Sequence, residues 1–302
     1  MAQRRCGDLE PRRRRQLACA QALLGEAELL ERSGRLAEAA DAYAAIPARV
    51  DDDPATAAIA TYRVAGLALQ ADDVTGAWAA YWQVVTAYPD EPVAADAVTE
   101  LVRDGRGRDA RALSAELFEL LTPLAGTAVA DNLLWALGDL AAHELDDAAL
   151  ARGYYDRIPV DMPTSGLRDD ARWRAAQLSL ALGDARGAEQ RLLALLATRE
   201  VAFGTGSYFS IWLDDAQLAV GRIRRDRLAD LDGAVRAFAA LPELYPASIL
   251  RDDALWELSL THVARGDLAA ACAARARLAQ AFPESRWVGV DARAPLACPE
   301  AR

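Results

Sequence analysis

The chain has 302 residues, of which 53% are apolar and 26% charged, and its 34 basic and 45 acidic residues give a net charge of −11. All 34 basic residues are arginine, which excludes the lysine of a P-loop, of a kinase ATP site or of a Schiff-base mechanism. The acidic balance argues against a nucleic-acid groove, which needs a basic surface. Much of the apolar content is alanine, the best helix former, and strand-like runs are nearly absent, so composition predicts an all-α protein.

The N-terminal segment, residues 1–15, predicts a basic disordered tail. The apolar stretch that follows, Leu17 to Leu24, is interrupted by Gln21 and is too short for a signal peptide or for a membrane span. As the sequence stands, we expect a soluble cytoplasmic protein, with membrane association only through an unseen signal or a partner.

A repeated helical pattern follows over residues 16–283. A small residue, a bulky residue four positions later and an aliphatic residue three positions after that recur at a spacing typical of stacked helix pairs. The copies are Ala39–Tyr43–Ile46, Ala77–Tyr81–Val84, Ala151–Tyr155–Ile158, Ala188–Leu192–Leu195 and Ala234–Phe238–Leu241. We predict seven hairpins, each of a helix A and a helix B, over about 16–50, 55–89, 92–126, 128–163, 166–200, 206–246 and 248–283.

The register of the hairpins has an internal check. In four of them a small residue on helix A stands 12 positions before the small residue on helix B, which lets the two helices approach closely. These pairs are Ala27/Ala39, Ala65/Ala77, Ala176/Ala188 and Ser259/Ala271. The third and sixth hairpins lack this partner, because Val98 and Arg222 stand in its place.

A longer motif opens two of the A helices. Ser165-Gly-Leu-Arg-Asp-Asp-Ala-Arg-Trp173 returns 83 residues later as Ser248-Ile-Leu-Arg-Asp-Asp-Ala-Leu-Trp256. Because the Asp-Asp pair recurs once per helix, we interpret it as capping of the helix start rather than as a metal or acid–base site. Four prolines are predicted to close B helices: Pro89, Pro163, Pro246 and Pro283.

The order of these residues resembles the tetratricopeptide repeat (TPR). A turn with Gly or Asp is followed by a small residue, an aromatic, an aliphatic and a proline, and the Tyr-Pro-x-Ser variant is similar to the bacterial cell-envelope branch of the family. That branch includes the outer-membrane assembly lipoprotein and the Tol–Pal-associated coordinator. The resemblance implies an α-α superhelix, a TPR-like solenoid whose concave face is lined by A helices and binds a protein or peptide.

The repeat register predicts which residues face a partner. Tyr62, Ala136, Trp173 and Trp256 fall at concave positions, where aromatic side chains give rigid contact area. The alternative for the two tryptophans is packing between neighbouring repeats. Arg168 and Arg251 occupy equivalent positions and pair either with a neighbouring Asp or with a peptide carboxylate. Gly204–Tyr208 predicts a flexible insert.

The four cysteines form no metal-ligand pattern. Cys272 is interpreted as a small core residue, and Cys6 and Cys298 would pair only if the chain ends met. The C-terminal segment, residues 284–302, is predicted to cap the last hairpin through Trp287 and Val288, since a terminal repeat must cover its apolar face.

The sequence therefore predicts a non-enzymatic TPR scaffold that binds a partner protein or peptide, with no catalytic residue, metal or cofactor and no nucleic-acid partner. The alternative is an assembly or coordination factor of the periplasm or cell envelope whose export signal is missing from this chain. A helical enzyme or regulator is a third hypothesis.

Overall fold

The computed structural model describes residues 13–50, 53–105, 109–198 and 210–293, together with Leu296 and Cys298. The predicted insert Gly204–Tyr208 and most of the predicted tail lie outside these residues. Within them the chain is helical and has no β-strand, in agreement with the predicted all-α class. None of the described helices is long and apolar enough to cross a membrane.

The described part of the chain forms fifteen helices, in which odd numbers up to α13 are A helices, even numbers are B helices, and α15 follows the last hairpin. Their bounds are α1 (Arg13–Arg32), α2 (Leu36–Ala44), α3 (Pro54–Gln70), α4 (Val74–Ala87), α5 (Pro92–Gly105), α6 (Ala110–Leu120), α7 (Ala130–His143), α8 (Ala148–Asp161), α9 (Arg168–Ala181), α10 (Ala185–Ala197), α11 (Leu213–Asp226), α12 (Leu231–Leu244), α13 (Arg251–Ala264), α14 (Leu268–Ala281) and α15 (Arg286–Arg293).

Contacts divide the chain into two units, residues 1–158 and 159–302, and the division falls inside α8. In the first unit, A helices pack on their own B helices and also on each other, α1 on α3, α3 on α5 and α5 on α7. In the second unit, α11 packs on α13 and α13 on α15 in the same way. Both units are therefore built from TPR-like helical hairpins.

The predicted small residues lie where the helices of a hairpin meet. All eight residues of the four pairs are at most 1% exposed. The bulky residues Tyr43, Tyr155 and Phe238 on the B helices are also fully buried. Since a larger side chain at a small-residue position would separate the helices, these positions fix the distance between them.

The sixth hairpin does have a small residue on helix A, contrary to the sequence prediction. Gly221 faces the Phe238 ring, and Arg222 is exposed. Gly221 stands 13 rather than 12 positions before Ala234, because the turn between α11 and α12 is one residue longer. Ala229 adopts a positive φ of 55° there, and the Asp230 amide donates to the carbonyl of Arg224.

Aspartates at the turns cap the B helices. The side chains of Asp73, Asp184, Asp230 and Asp267 each accept a hydrogen bond from the amide three residues later, at 2.8–3.0 Å. These bonds satisfy amides that have no partner inside the helix. At their other ends, α4, α8, α12 and α14 each stop two residues before a proline.

The Asp-Asp pairs do not cap the A helices, which corrects the sequence interpretation. Helices α9, α11 and α13 follow Leu167, Trp212 and Leu250, and no side chain caps them. The aspartates lie in the first turn, where they complement the positive helix end. Each of these three pairs also accepts a hydrogen bond from the start of the next A helix or of α15. The bonds are Trp212 Nε1 to Asp170 Oδ1 (2.6 Å), Ser248 Oγ to Asp214 Oδ2 (2.5 Å), Ser285 Oγ to Asp252 Oδ2 (2.6 Å) and Trp287 Nε1 to Asp253 Oδ1 (2.7 Å).

The last hairpin is covered by α15. The Trp287 ring stacks on Trp256 with centroids 5.1 Å apart, and Val288 packs on the same core cluster. A disulfide joins Cys272 to Cys298, so Cys272 is not the unpaired core residue that the sequence predicted, and Cys298 does not pair with Cys6. Cys19 is also disulfide-bonded.

Candidate partner-binding surface

Each unit has a pocket between two successive A helices. The α5–α7 pocket of the first unit has a volume of about 280 Å³, and the α9–α11 pocket of the second unit has about 340 Å³. Val98, Thr99, Val102, Arg103, Asn132, Trp135, Ala136 and Asp139 line the α5–α7 pocket. Trp173, Ala176, Gln177, Leu180, Leu192, Asp215, Leu218, Ala219, Arg222 and Ile223 line the α9–α11 pocket.

The polar groups of the α5–α7 pocket are bonded to their neighbours. Asp139 accepts a hydrogen bond from the Tyr155 hydroxyl at 2.7 Å, and the ring of Tyr155 lies edge-on to Trp135 at 5.1 Å. The Asn132 amide donates to Asp131 at 2.7 Å, and Arg103 pairs with Glu100. The pocket therefore offers an indole wall with polar groups already held in place.

In the α9–α11 pocket, one polar group lacks a hydrogen-bond donor within the described part of the chain. Trp173 stacks on Trp212 at 5.0 Å, with the ring planes only 10° apart. The Arg222 guanidinium donates to Glu257 at 2.7 Å. No described residue donates a hydrogen bond to the side chain of Asp215. Burial, and then the neighbouring Asp214 carboxylate, raise the pKa of Asp215, whereas Arg222 lowers it.

Of the five residues predicted to bind a partner, Trp173 is the one that lines either pocket. Tyr62 is half-buried on α3, with its ring 5.4 Å from Tyr81, and burial raises its pKa. Trp256 is 8% exposed, between Trp287 and the Arg275 guanidinium. The role of these residues in partner binding stays a prediction.

The two predicted arginines contact their own unit. The Arg168 guanidinium donates to the Pro163 carbonyl at 2.9 Å and lies 3.5 Å from Asp169. Arg251 donates to the Ser248 carbonyl at 2.9 Å, with its guanidinium 5.1 Å from the centre of the Phe282 ring. In this structure they hold the turns that enter α9 and α13.

Sequence reasoning placed Ala136 on this surface but did not single out Asn132, Trp135, Asp215 or Arg222. Trp135 and Trp173 stand on A helices at the same register, six residues into each helix, so aligning the two helices finds both. Asp215 was missed because Asp-Asp pairs at the starts of A helices were interpreted as caps, and Asp214 and Asp215 form another such pair. Among the described residues, no group of three or more His, Cys, Asp or Glu side chains is placed to hold a metal ion.

Neither a protein-family model nor a curated protein matches this chain. Solved structures do match. PilF of Pseudomonas aeruginosa is 15% identical, covers 79% of this chain and 97% of its own, and has a TM-score of 0.42. YrrB, described as a TPR protein with an unusual peptide-binding site, is 13% identical over 78% of this chain and 92% of its own, with a TM-score of 0.41. A tetratricopeptide repeat protein of Parabacteroides merdae is 16% identical over 76% and 80%, with a TM-score of 0.42.

Proposed function

We propose that this protein is a non-enzymatic scaffold that binds a segment of a partner protein on the surface of its A helices. The observation that supports it best is the recurrence of one arrangement in both units, a pocket between successive A helices with a tryptophan in its wall. The α9–α11 pocket, mostly apolar with a few polar groups, falls within the size range of typical binding sites, and the α5–α7 pocket is slightly smaller. Tryptophan is also the residue type most enriched where partner binding is strong.

The hydrogen bonds of the paired carboxylates support a scaffold rather than an enzyme. Recurrent Asp-Asp pairs were the feature of the sequence that invited acid–base chemistry. Asp170, Asp214, Asp252 and Asp253 all accept hydrogen bonds from the next A helix or from α15, so they act as connections between hairpins. Hydrogen bonds of this kind give these four carboxylates a structural role, which supports a scaffold.

Affinity capture from the native host tests the scaffold function. The purified protein is compared with Trp135→Ala and Trp173→Ala variants, and bound proteins are crosslinked and identified by mass spectrometry. We expect each variant to reduce capture of the partner about tenfold or more, because a rigid aromatic contact is lost at the centre of its site. Far-ultraviolet circular dichroism verifies that helicity is unchanged.

Trp82→Ala is the matched control, since Trp82 lies half-buried on the B helix α4 and lines neither pocket. It should retain capture. Equal capture by all three variants would reject the A-helix surface as the binding site, and unaided turnover of a substrate by the purified chain would reject the scaffold itself.

The disulfides favour a second candidate, a cell-envelope assembly or coordination factor. Cys272 is bonded to Cys298, and Cys19 is also disulfide-bonded. Disulfides persist in oxidising compartments such as the periplasm and are rare in the cytosol.

Thiol trapping in the native host tests this candidate. Cells are treated with a membrane-permeant maleimide before lysis, and the labelled protein is separated on a gel. In an oxidising compartment Cys272 and Cys298 stay unlabelled unless a reductant is added first. Labelling of both without reductant would place the protein in a reducing compartment and exclude the envelope role.

A further inference from the structure

The second unit contains three equivalent joints, in each of which an Asp-Asp pair on one A helix meets the start of the next A helix or of α15. At the α9/α11 and α13/α15 joints, the second aspartate of the pair accepts a hydrogen bond from an indole N–H of the next element. Two residues after the serine that opens each element, the chain has Trp212, Leu250 and Trp287. Leu250 at the α11/α13 joint has no donor, so the second aspartate there, Asp215, lacks the partner that Asp170 and Asp253 have.

The Asp215 carboxylate accepts no hydrogen bond from a described residue, and the Arg222 charge only partly offsets its burial and the neighbouring Asp214. It is half-buried beside Asp214, and it lines the α9–α11 pocket. Arg222, whose charge acts on Asp215, donates to Glu257 instead, and Glu257 also accepts from Arg225 at 2.5 Å. A partly buried acceptor without a donor is costly, and an external cation would remove that cost.

We infer that the α9–α11 pocket takes an arginine side chain of the partner, with its guanidinium on Asp215 and its methylene groups along Trp173, Leu180 and Ala219. This inference rests on the proposed scaffold function. An arginine fits better than a lysine, because the planar guanidinium forms two parallel hydrogen bonds with a carboxylate and stacks on an indole. The net charge of −11 would attract such a segment from a distance.

Two small probes of similar shape, one with a cationic guanidinium and one with a neutral urea, test the pocket directly. N-acetylarginine amide is titrated into ¹⁵N-labelled protein, and the indole N–H resonance of Trp173, assigned with Trp173→Phe, is followed by NMR. N-acetylcitrulline amide has the same shape with a neutral urea group in place of the guanidinium. We expect a saturable shift with the arginine probe and affinity about tenfold or more lower with citrulline, since a charge-assisted bond is lost.

Two variants locate the effect at Asp215. Asp215→Asn should lower affinity for the arginine probe about tenfold or more and abolish its preference over citrulline. Leu250→Trp should act in the same direction by another route, because it supplies the indole donor that the other joints have. Asp232→Asn is the matched control, with the same change of charge at an exposed position on α12, and should bind like the wild type.

Stability separates a binding role from a structural one. The folded-state pKa of Asp215 is raised above its unfolded value. Its contribution to stability is therefore complete below the unfolded pKa and is lost as pH rises through the folded pKa. At pH 7, Asp215→Asn should unfold at the same temperature as the wild type or at a higher one, whereas an aspartate that stabilises the fold would give a lower one.

Equal binding of the citrulline or N-acetyllysine amides, or full binding by Asp215→Asn and Leu250→Trp, would overturn the inference. A lower melting temperature of Asp215→Asn would overturn it as well. The scaffold function fails separately. If a captured partner requires Trp173 but places no arginine in the pocket, the scaffold function stands and the arginine inference fails. If the arginine probe binds but no partner depends on Trp135 or Trp173, the pocket inference stands and the scaffold function fails.

Discussion

Two glycines on A helices pack directly against buried aromatic rings of B helices. A Cβ added to Gly138 would lie 2.7 Å from the Tyr155 ring. A Cβ added to Gly221 would lie closer still to the Phe238 ring, at a separation that real Cβ atoms essentially never show. Both rings are buried and cannot swing out into solvent. Glycine is therefore required at these positions for helix contact, although it lowers helix propensity.

Substitution of Gly221 tests this contact. Gly221→Ala forces the buried Phe238 ring to move, and overpacking of this kind costs about 1–3 kcal/mol. We expect the free energy of unfolding, measured in urea, to fall by that amount.

Gly153→Ala is the matched control, because Gly153 is an exposed glycine inside α8 with nothing within 4 Å of an added Cβ. It should be neutral or stabilise by about 0.5–1 kcal/mol through helix propensity. If Gly221→Ala proves as stable as Gly153→Ala, the close approach of α11 and α12 is not set by this glycine.

Much of the packing could be predicted from spacing alone, and the exceptions have a physical cause. The four small-residue pairs at a spacing of 12 are all buried as expected. Gly221 was missed because one extra turn residue moves it out of register, and Ala229 adopts a positive φ without being a glycine that would mark the turn. The position of Asp215 could not be predicted either. Its carboxylate lacks a donor among the described residues because Leu250, and not a tryptophan, precedes α13.

At the scale of the helix, the turn aspartates decide where the B helices begin. Asp230 accepts a hydrogen bond from the Gly233 amide at 2.8 Å, ahead of α12. Asp232 lies in the first turn of the same helix and is exposed, and it forms an ion pair with Arg265 at 2.9 Å. The two residues carry the same charge near the same helix end, so they separate capping from electrostatics.

Asp230→Ala is expected to lower the free energy of unfolding by about 0.5–2 kcal/mol, the usual cost of a lost cap. Asp232→Ala, the control, should cost less than about 1 kcal/mol, since it loses only an exposed ion pair and part of the interaction with the helix dipole. Urea unfolding of both variants measures the difference. Equal losses would mean that charge near the helix end, and not the hydrogen bond, matters at this position.

Helices were predictable at this scale, and the covalent link was not. The C-terminal segment was expected to cover the last hairpin, and α15 packs Trp287 and Val288 on its core cluster. The same helical period favoured a packed, unpaired Cys272. Its partner Cys298 lies beyond the last helix, where no repeat fixes the path of the chain, so spacing held no information about the bond.

At the scale of the whole molecule, charge is divided unevenly. Residues 1–158 contain 26 acidic residues and 16 arginines, whereas residues 159–302 contain 19 and 18. The α5–α7 pocket therefore lies in a strongly acidic unit, and the α9–α11 pocket lies in a nearly neutral one. The proposed arginine pocket thus lies in the nearly neutral unit, where its preference for a cation would depend on one carboxylate, Asp215.

The Ser–Asp and Trp–Asp bonds give the second unit a polarity along its length, because aspartates on α9, α11 and α13 accept hydrogen bonds from a serine or a tryptophan at the start of the element that follows. A duplicated or transplanted hairpin would join correctly only if it opened with serine and carried the aspartate pair on its first helix. To lengthen this protein, the segment to duplicate would therefore run from one such serine to the residue before the next one. A tryptophan two residues after the serine would donate a hydrogen bond to the preceding aspartate, whereas a leucine there would leave that carboxylate available to a ligand.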